Sequence, residues 1–232
     1  MLEALQDNKL AAERLHVAAS NRRGGIMDDI MTAAQRRGVE VREHDRAALA
    51  RISRNGKQDQ GVALDIRCPA FAELERVDAL AARGDTRLLA LDGITNPQNA
   101  GMIVRSAAAA GITGLLWPRQ GVTALGPLVI KASAGTLFRA PIIHCDDILS
   151  AVQRCRQLGM TVATLRADGA HTVFDHRPDG ATVYVLGGET AGVSAGVEAL
   201  AQVGLNIPMH SGVESLNVAV TAGILAYAVS AR

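Results

Sequence analysis

Apolar and polar positions alternate in two regimes along the chain. From Met1 to about Asp65 the segments are short and amphipathic. Leu2 to about Glu13 has helical spacing, Arg14 to Ala19 reads as a short strand, and Gly24-Gly25 turns the chain. Asp28-Asp29 then lie in the first turn of a helix that runs to Arg36-Arg37, acids at its positive end and bases at its negative end, and Gly38 stops it. Val39 to Glu43 alternates as a strand, Asp45 caps a helix to Ser53, Asn55-Gly56 turns, and Gly61 to Ile66 is another strand. Pro69 interrupts, and Phe71 to Ala82 has the spacing of a helix ending in Arg83-Gly84-Asp85.

Beyond that point the apolar strands lengthen. Strands are expected at Arg87 to Leu91, Thr113 to Trp117, Ile142-Ile143, Thr161 to Leu165, Thr182 to Leu186 and Leu205 to Ile207. Helices between them run from Ala100 to Ala110, Leu125 to Ser133, Asp146-Asp147 to Leu158, and Ala195 to Ala201, before a closing helix of small residues. Strands alternating with helices imply a parallel sheet covered on both faces, with ligands at the loops beyond the strands' carboxyl ends. The pattern divides the chain into a small α/β unit at 1–68, a linker at 69–86, and a larger α/β domain at 87–232.

Charge sharpens this division. The net charge is +1, yet between Lys9 and Arg67 there are 12 Lys/Arg against 8 Asp/Glu, while from Arg87 onward the count is 10 against 9. A polyanion would therefore meet a patch on the first unit, where Arg22, Arg23, Arg36, Arg37, Arg51, Arg54 and Lys57 are the phosphate-contact candidates, although the same residues suit a solvated face. Cys68, Cys145 and Cys155 have no metal-ligand spacing and fit free thiols in a reducing cytoplasm. No signal peptide and no membrane-length apolar run stands out, so a cytoplasmic protein is expected.

The common catalytic signatures fail. There is no G-x-G-x-x-G, and Gly121 to Gly126 is followed by Pro127-Leu128 where a P-loop needs Lys and Ser/Thr. Ser194 and Ser215 are in no nucleophile elbow, and His171 and His176 lie at the wrong spacing to share a metal; no metal site is expected. What remains is a set of Gly-rich strand-end loops with one Arg, one Glu, one Ser and two Asn. That inventory suits a cofactor held by backbone groups beside an oriented hydroxyl.

Three ordered stretches carry a resemblance: Asn99-Ala100-Gly101 with Arg105, Leu186-Gly187-Gly188-Glu189 with Gly192, and Ile207-Pro208-Met209 with Ser215-Leu216-Asn217-Val218-Ala219-Val220. They resemble the motifs of the SpoU (TrmH-type) RNA ribose 2'-O-methyltransferases, of the SPOUT class. Glu13-Arg14-Leu15-His16-Val17-Ala18 and Gln60-Gly61-Val62-Ala63 resemble, over a shorter stretch, that family's ribosomal-protein-like RNA-binding extension. Related proteins usually carry a few more residues ahead of Leu2-Glu3-Ala4-Leu5.

The resemblance implies an α/β trefoil knot whose loops hold S-adenosylmethionine, with S-adenosylhomocysteine as product and no metal. It implies RNA as partner, ribosomal RNA (23S) before transfer RNA, with neither DNA nor membrane, and a homodimer through the knot. It assigns catalysis to Arg105, Asn99, Glu189, Ser215 and Asn217, and cofactor binding to Leu186, Gly187, Gly188, Gly192, Ile207, Met209 and Leu216. Simpler readings stand beside these. Arg105 could pair a helix-face acid, Glu189 could be an ordinary helix-capping acid, Asn99 and Ser215 could cap the helices they precede, Gly101 could serve helix packing, and Ile207 and Met209 could be core. A free arginine is a poor base, so orientation and electrostatic stabilisation are the favoured roles for Arg105. Gly188 and Thr190-Ala191 depart from the commonest form of the second motif. A non-catalytic RNA-binding assembly factor is the contrasting function.

Overall fold

A computed structural model of the chain describes residues 1–8, 10–22, 24–54, 56–57, 59–68, 70–188 and 191–230. Of the residues singled out above, Arg23, Asn55, Pro69, Glu189 and Thr190 lie outside the described residues. The chain forms two compact units, residues 1–70 and 71–232.

The first unit contains α1 (Leu2–Gln6), β1 (Ala11–Ala18), α2 (Ile26–Arg36), β2 (Glu40–His44), α3 (Arg46–Ser53) and β3 (Val62–Arg67). Its sheet has the order β2-β1-β3, with β1 parallel to β2 and antiparallel to β3. Leu15 and Val17 project to one face and pack with Ile30 and Ala34 of α2, as the two-residue period of a strand requires. Asp45 caps α3 by accepting the Ala48 N–H at 2.7 Å, as expected.

Two expectations fail here. The helix expected from Leu2 to Glu13 stops at Gln6, and β1 begins at Ala11 because it pairs with Arg67 on β3. The Arg37 guanidinium holds this early break. It donates to the carbonyls of Ala4 at 3.2 Å, Leu5 at 3.4 Å, Asp7 at 3.1 Å and also Leu10. Carbonyls beyond a helix end need such donors, so Arg37 acts as a structural brace.

The second unit contains β4 (Ala72–Glu73), α4 (Arg76–Ala81), β5 (Arg87–Asp92), α5 (Pro97–Ala110), β6 (Gly114–Pro118), α6 (Pro127–Ala132), β7 (Ile142–Cys145), α7 (Ile148–Gln157), β8 (Thr161–Leu165), β9 (His171–Thr172), β10 (Thr182–Gly187), α8 (Ala195–Glu198), β11 (Val203–Asn206) and α9 (Val218–Ser230). Its eight-stranded sheet runs β4-β7-β6-β5-β10-β8-β11-β9, and the strand pairings are parallel. Alternation along β5 splits the core: Leu89 and Leu91 face α5 and α9, while Leu88 and Ala90 face α4 and α7. Such two-sided burial explains why these strands read as continuous apolar runs.

The segment expected as a linker, and the helix expected from Phe71, are also revised. Ala72 and Glu73 pair with Ile143 and His144, and α4 buries Val77 and Leu80 in the sheet's core. Edge pairing at β4 therefore takes the first residues out of the helix. Burial pushes the Cys145 and Cys155 thiols up to about 12, so neither supplies a thiolate nucleophile. Among the described residues no helix is long and apolar enough to cross a membrane.

The closing helix packs on the first one after β5. Val218, Ala219, Ala222, Leu225, Ala226 and Val229 form its buried stripe, meeting Ala100, Ile103, Val104 and Ala107 of α5 in one core. Small residues permit the close approach: a Cβ at Gly223 would lie 3.6 Å from Ser106 Oγ. Full burial of each Leu or Val in this stripe contributes roughly 1.5–3 kcal/mol, which holds the end of the chain against α5.

Candidate active site

The carboxyl ends of β8, β10 and β11 open onto one cleft of about 920 Å³, within the usual size range of small-molecule sites. All seven expected cofactor residues line it. Leu186, Gly187 and Gly188 come from the end of β10, Gly192 from the following turn, and Ile207, Met209 and Leu216 from the segment between β11 and α9. Ser215 and Asn217 also line it.

Backbone crowding explains the glycines. The Gly188 N–H donates to the Gly192 carbonyl at 3.1 Å, and the Gly192 N–H returns to the Gly188 carbonyl at 2.9 Å. Gly192 has φ of 67°, a left-handed value open to glycine without strain. A Cβ at Gly187 would lie 2.2 Å from the Gly192 carbonyl carbon, and one at Gly188 would lie 2.7 Å from the Gly93 carbonyl oxygen. Gly187, Gly188 and Gly192 thus present bare main chain to the cleft.

The first and third motifs meet at Asn99. Its carboxamide oxygen accepts from Asn217 Nδ2 at 3.1 Å, while the Asn217 oxygen accepts the Ala219 N–H at 2.9 Å. Both caps therefore differ from expectation. Asn96, one residue before Pro97, caps α5 by accepting the Gln98 N–H at 2.9 Å; proline at the first helical position sets that start. Asn99 lies inside the helix, 4% exposed. Asn217, not Ser215, caps α9, which leaves the exposed Ser215 on the cleft. Gly101 serves helix packing, since a Cβ there would lie 2.4 Å from Ala132 Cβ on α6.

Arg105 is not brought to the cleft of its own chain. Six residues beyond Asn99 at about 100° per residue, it falls on another side of α5, where it is exposed. Met102, three positions earlier and on the same side, is 42% exposed, and α9 exposes Val220 at 51% and Tyr227 at 55%.

Two lining residues escaped the sequence reading. Arg166 borders the cleft; its Nε and Nη2 donate to Asp168 at 2.8 Å each, and its Nη1 donates to Glu198 at 3.1 Å. These carboxylates hold its pKa above the ordinary arginine value, the Asp168 hydrogen bonds foremost. Asp92, at the end of β5, lines a second cavity of about 300 Å³ with Thr95, Asn96 and Asn99. Among the described residues no group of three or more His, Cys, Asp or Glu is placed to hold a metal ion.

Comparison with known proteins decides the family. The model described as SpoU rRNA Methylase family matches residues 86–227. The chain belongs to the SpoU methylase family. Residues 1–71 match the model for RNA 2'-O ribose methyltransferase substrate binding. An uncharacterized tRNA/rRNA methyltransferase of Mycolicibacterium vanbaalenii is 33% identical over 229 residues, 97% of this chain and 72% of the relative. A 23S rRNA (guanosine-2'-O-)-methyltransferase RlmB of Xylella fastidiosa is 33% identical over 198 residues, 84% of this chain and 79% of the relative. Among solved structures, the SpoU methyltransferase AviRb of Streptomyces viridochromogenes in complex with AdoMet has a TM-score of 0.74 at 22% identity, covering 99% of this chain and 86% of that one. The protein is an S-adenosylmethionine-dependent RNA ribose 2'-O-methyltransferase with the α/β trefoil-knot fold of the SPOUT class.

Proposed function

We propose that the chain methylates a ribose of 23S rRNA in the cytoplasm, acting as a homodimer. The observation that carries the reading is the convergence of the three motifs: the Asn217–Asn99 bond joins the third to the first beside a cleft walled by the second. The 23S target rests on relatives named RlmB, one of which is 30% identical over 97% of this chain and 90% of its own length. The fit of the cofactor rests on the cleft itself, which combines bare glycine main chain with apolar Leu186, Ile207 and Leu216; main-chain donors and acceptors can read an adenine edge while apolar walls exclude water.

S-adenosylmethionine, when bound, supplies a methyl group already activated by its sulfonium, so the residues act by placement. Asn217 fixes the start of α9 and the orientation of Asn99. Ser215 offers its hydroxyl to the acceptor ribose, and Glu189 holds the site from the second motif. Arg105 stabilises the charge on the 2'-oxygen, coming to the RNA site from an α5 face that a second copy completes. The exposed apolar Met102, Val220 and Tyr227 support such pairing, because apolar surface beside a functional arginine suits a buried interface. Tyr227→Asp should weaken the dimer by about 30-fold or more, read by sedimentation velocity, and lower methylation in parallel. A wild-type protein that sediments as a monomer at micromolar concentration would reject the dimer.

In the small unit, Asn21 Nδ2 donates to the Gly61 carbonyl at 2.9 Å, tying the loop after β1 to the one before β3. The exposed Arg22 and Lys57 belong to these loops and are the proposed phosphate contacts. Arg36, also exposed, lies roughly 16 Å along α2 from its start. Exposed Arg51 and Arg54 are further candidates. With radiolabelled S-adenosylmethionine, unmodified 23S rRNA should accept label at one ribose while bulk tRNA accepts none. Label in tRNA alone would move the target to tRNA.

A further inference from the structure

Asp92 is the last residue of β5, opposite Gly187 in the β5–β10 ladder. The residue is 8% exposed, and its carboxylate accepts the Ser194 N–H at 2.7 Å, across 102 residues of sequence. Buried carboxylates are rare without a partner, and a hydrogen bond to one is stronger than a neutral bond. Ser194 closes the turn that begins at Gly188. The Gly188–Gly192 hydrogen bonds lie within that turn and do not by themselves fix it to the sheet. At one end it is continuous with β10 through Gly187; at the other, Asp92 fastens it to β5.

The turn has a cavity on either side. Gly188, Gly192 and Val218 border both the cofactor cleft and the cavity that Asp92 shares with Asn99. A shift of the turn would widen one space and narrow the other. We propose that Asp92 is a positioning residue that sets the cofactor wall by holding the Gly188–Ser194 turn through the Ser194 N–H. This rests on the reading that the larger cleft takes S-adenosylmethionine.

Calorimetric titration of the full-length protein with S-adenosylmethionine tests it, with thermal melting as the check on folding. Asp92→Ala should weaken binding about tenfold, the scale of a lost charge-assisted hydrogen bond, and Asp92→Asn, which retains an oxygen acceptor, should recover most of it. Ser194→Pro approaches the same bond from its donor. Ser194 is exposed, with φ of −64°, which a proline ring adopts while removing the N–H. It should weaken binding comparably, and the double variant Asp92→Ala/Ser194→Pro should be no weaker than either single one. In turnover assays the loss should fall on KM for S-adenosylmethionine more than on kcat, a split that general destabilisation would not produce. Wild-type affinity in Asp92→Ala, or additive losses in the double variant, would overturn the proposal. A wild-type protein that binds no S-adenosylmethionine would instead defeat the cleft assignment, and this proposal with it.

Discussion

Replacing Arg105 with alanine should remove methyl transfer and leave S-adenosylmethionine binding within about twofold of wild type. The separation follows from geometry: the cleft is walled by the strand-end loops, whereas Arg105 projects from the exposed side of α5. Loss of one group that stabilises developing charge typically costs about 10²–10³ in kcat, and Arg105→Lys should recover little, because a point charge replaces a planar guanidinium. Single-turnover methylation and calorimetry on the same preparation measure both halves. A parallel loss of cofactor affinity would place Arg105 in the cofactor wall instead.

The second large effect belongs to Gly187. An added Cβ would meet the Gly192 carbonyl carbon at 2.2 Å, the Val193 nitrogen at 2.3 Å and the Gly192 oxygen at 2.5 Å. These are backbone atoms, which cannot rotate away as a side chain could. Gly187→Ala should therefore lower stability by roughly 3 kcal/mol and abolish measurable S-adenosylmethionine binding in the protein that still folds. Gly84→Ala provides the contrast. No atom lies within 4 Å of its added Cβ and its φ is not left-handed, so it should be neutral or slightly stabilising, within about 1 kcal/mol. Chemical denaturation of the two variants compares them directly, and equal stabilities would contradict the crowding argument.

The parallel sheet was legible because Leu88 to Leu91 and Val183 to Leu186 are buried on both faces and so appear as unbroken apolar runs. Strand order was not legible. Nothing in the composition of β10 places it between β5 and β8; the arrangement depends on tertiary packing. The caps show how local signals compete. Asn96-Pro97 is a stronger helix start than Asn99, yet the motif resemblance drew attention to Asn99, whose true partner, Asn217, is 118 residues away.

Long-range contacts hid other residues. Arg37 looked like one more solvated base, but its guanidinium gathers carbonyls around the end of α1. Asp92 carried no signal of its own in the sequence, and only folding brings Ser194 to it. The lining of the larger cleft was legible residue by residue through the ordered motifs, because the close approach of main chain there leaves room only for glycine at Gly187 and Gly188. The position of Arg105 was not, because the helical period turns it away from Asn99 onto an exposed side of α5.

The most direct test is a 2'-O-methyl map of ribosomal RNA from cells in which the gene is deleted and restored as wild type or as Arg105→Ala. The account predicts one 23S ribose that loses its methyl group on deletion, regains it with wild type and stays unmodified with the variant. A map unchanged by deletion would contradict it.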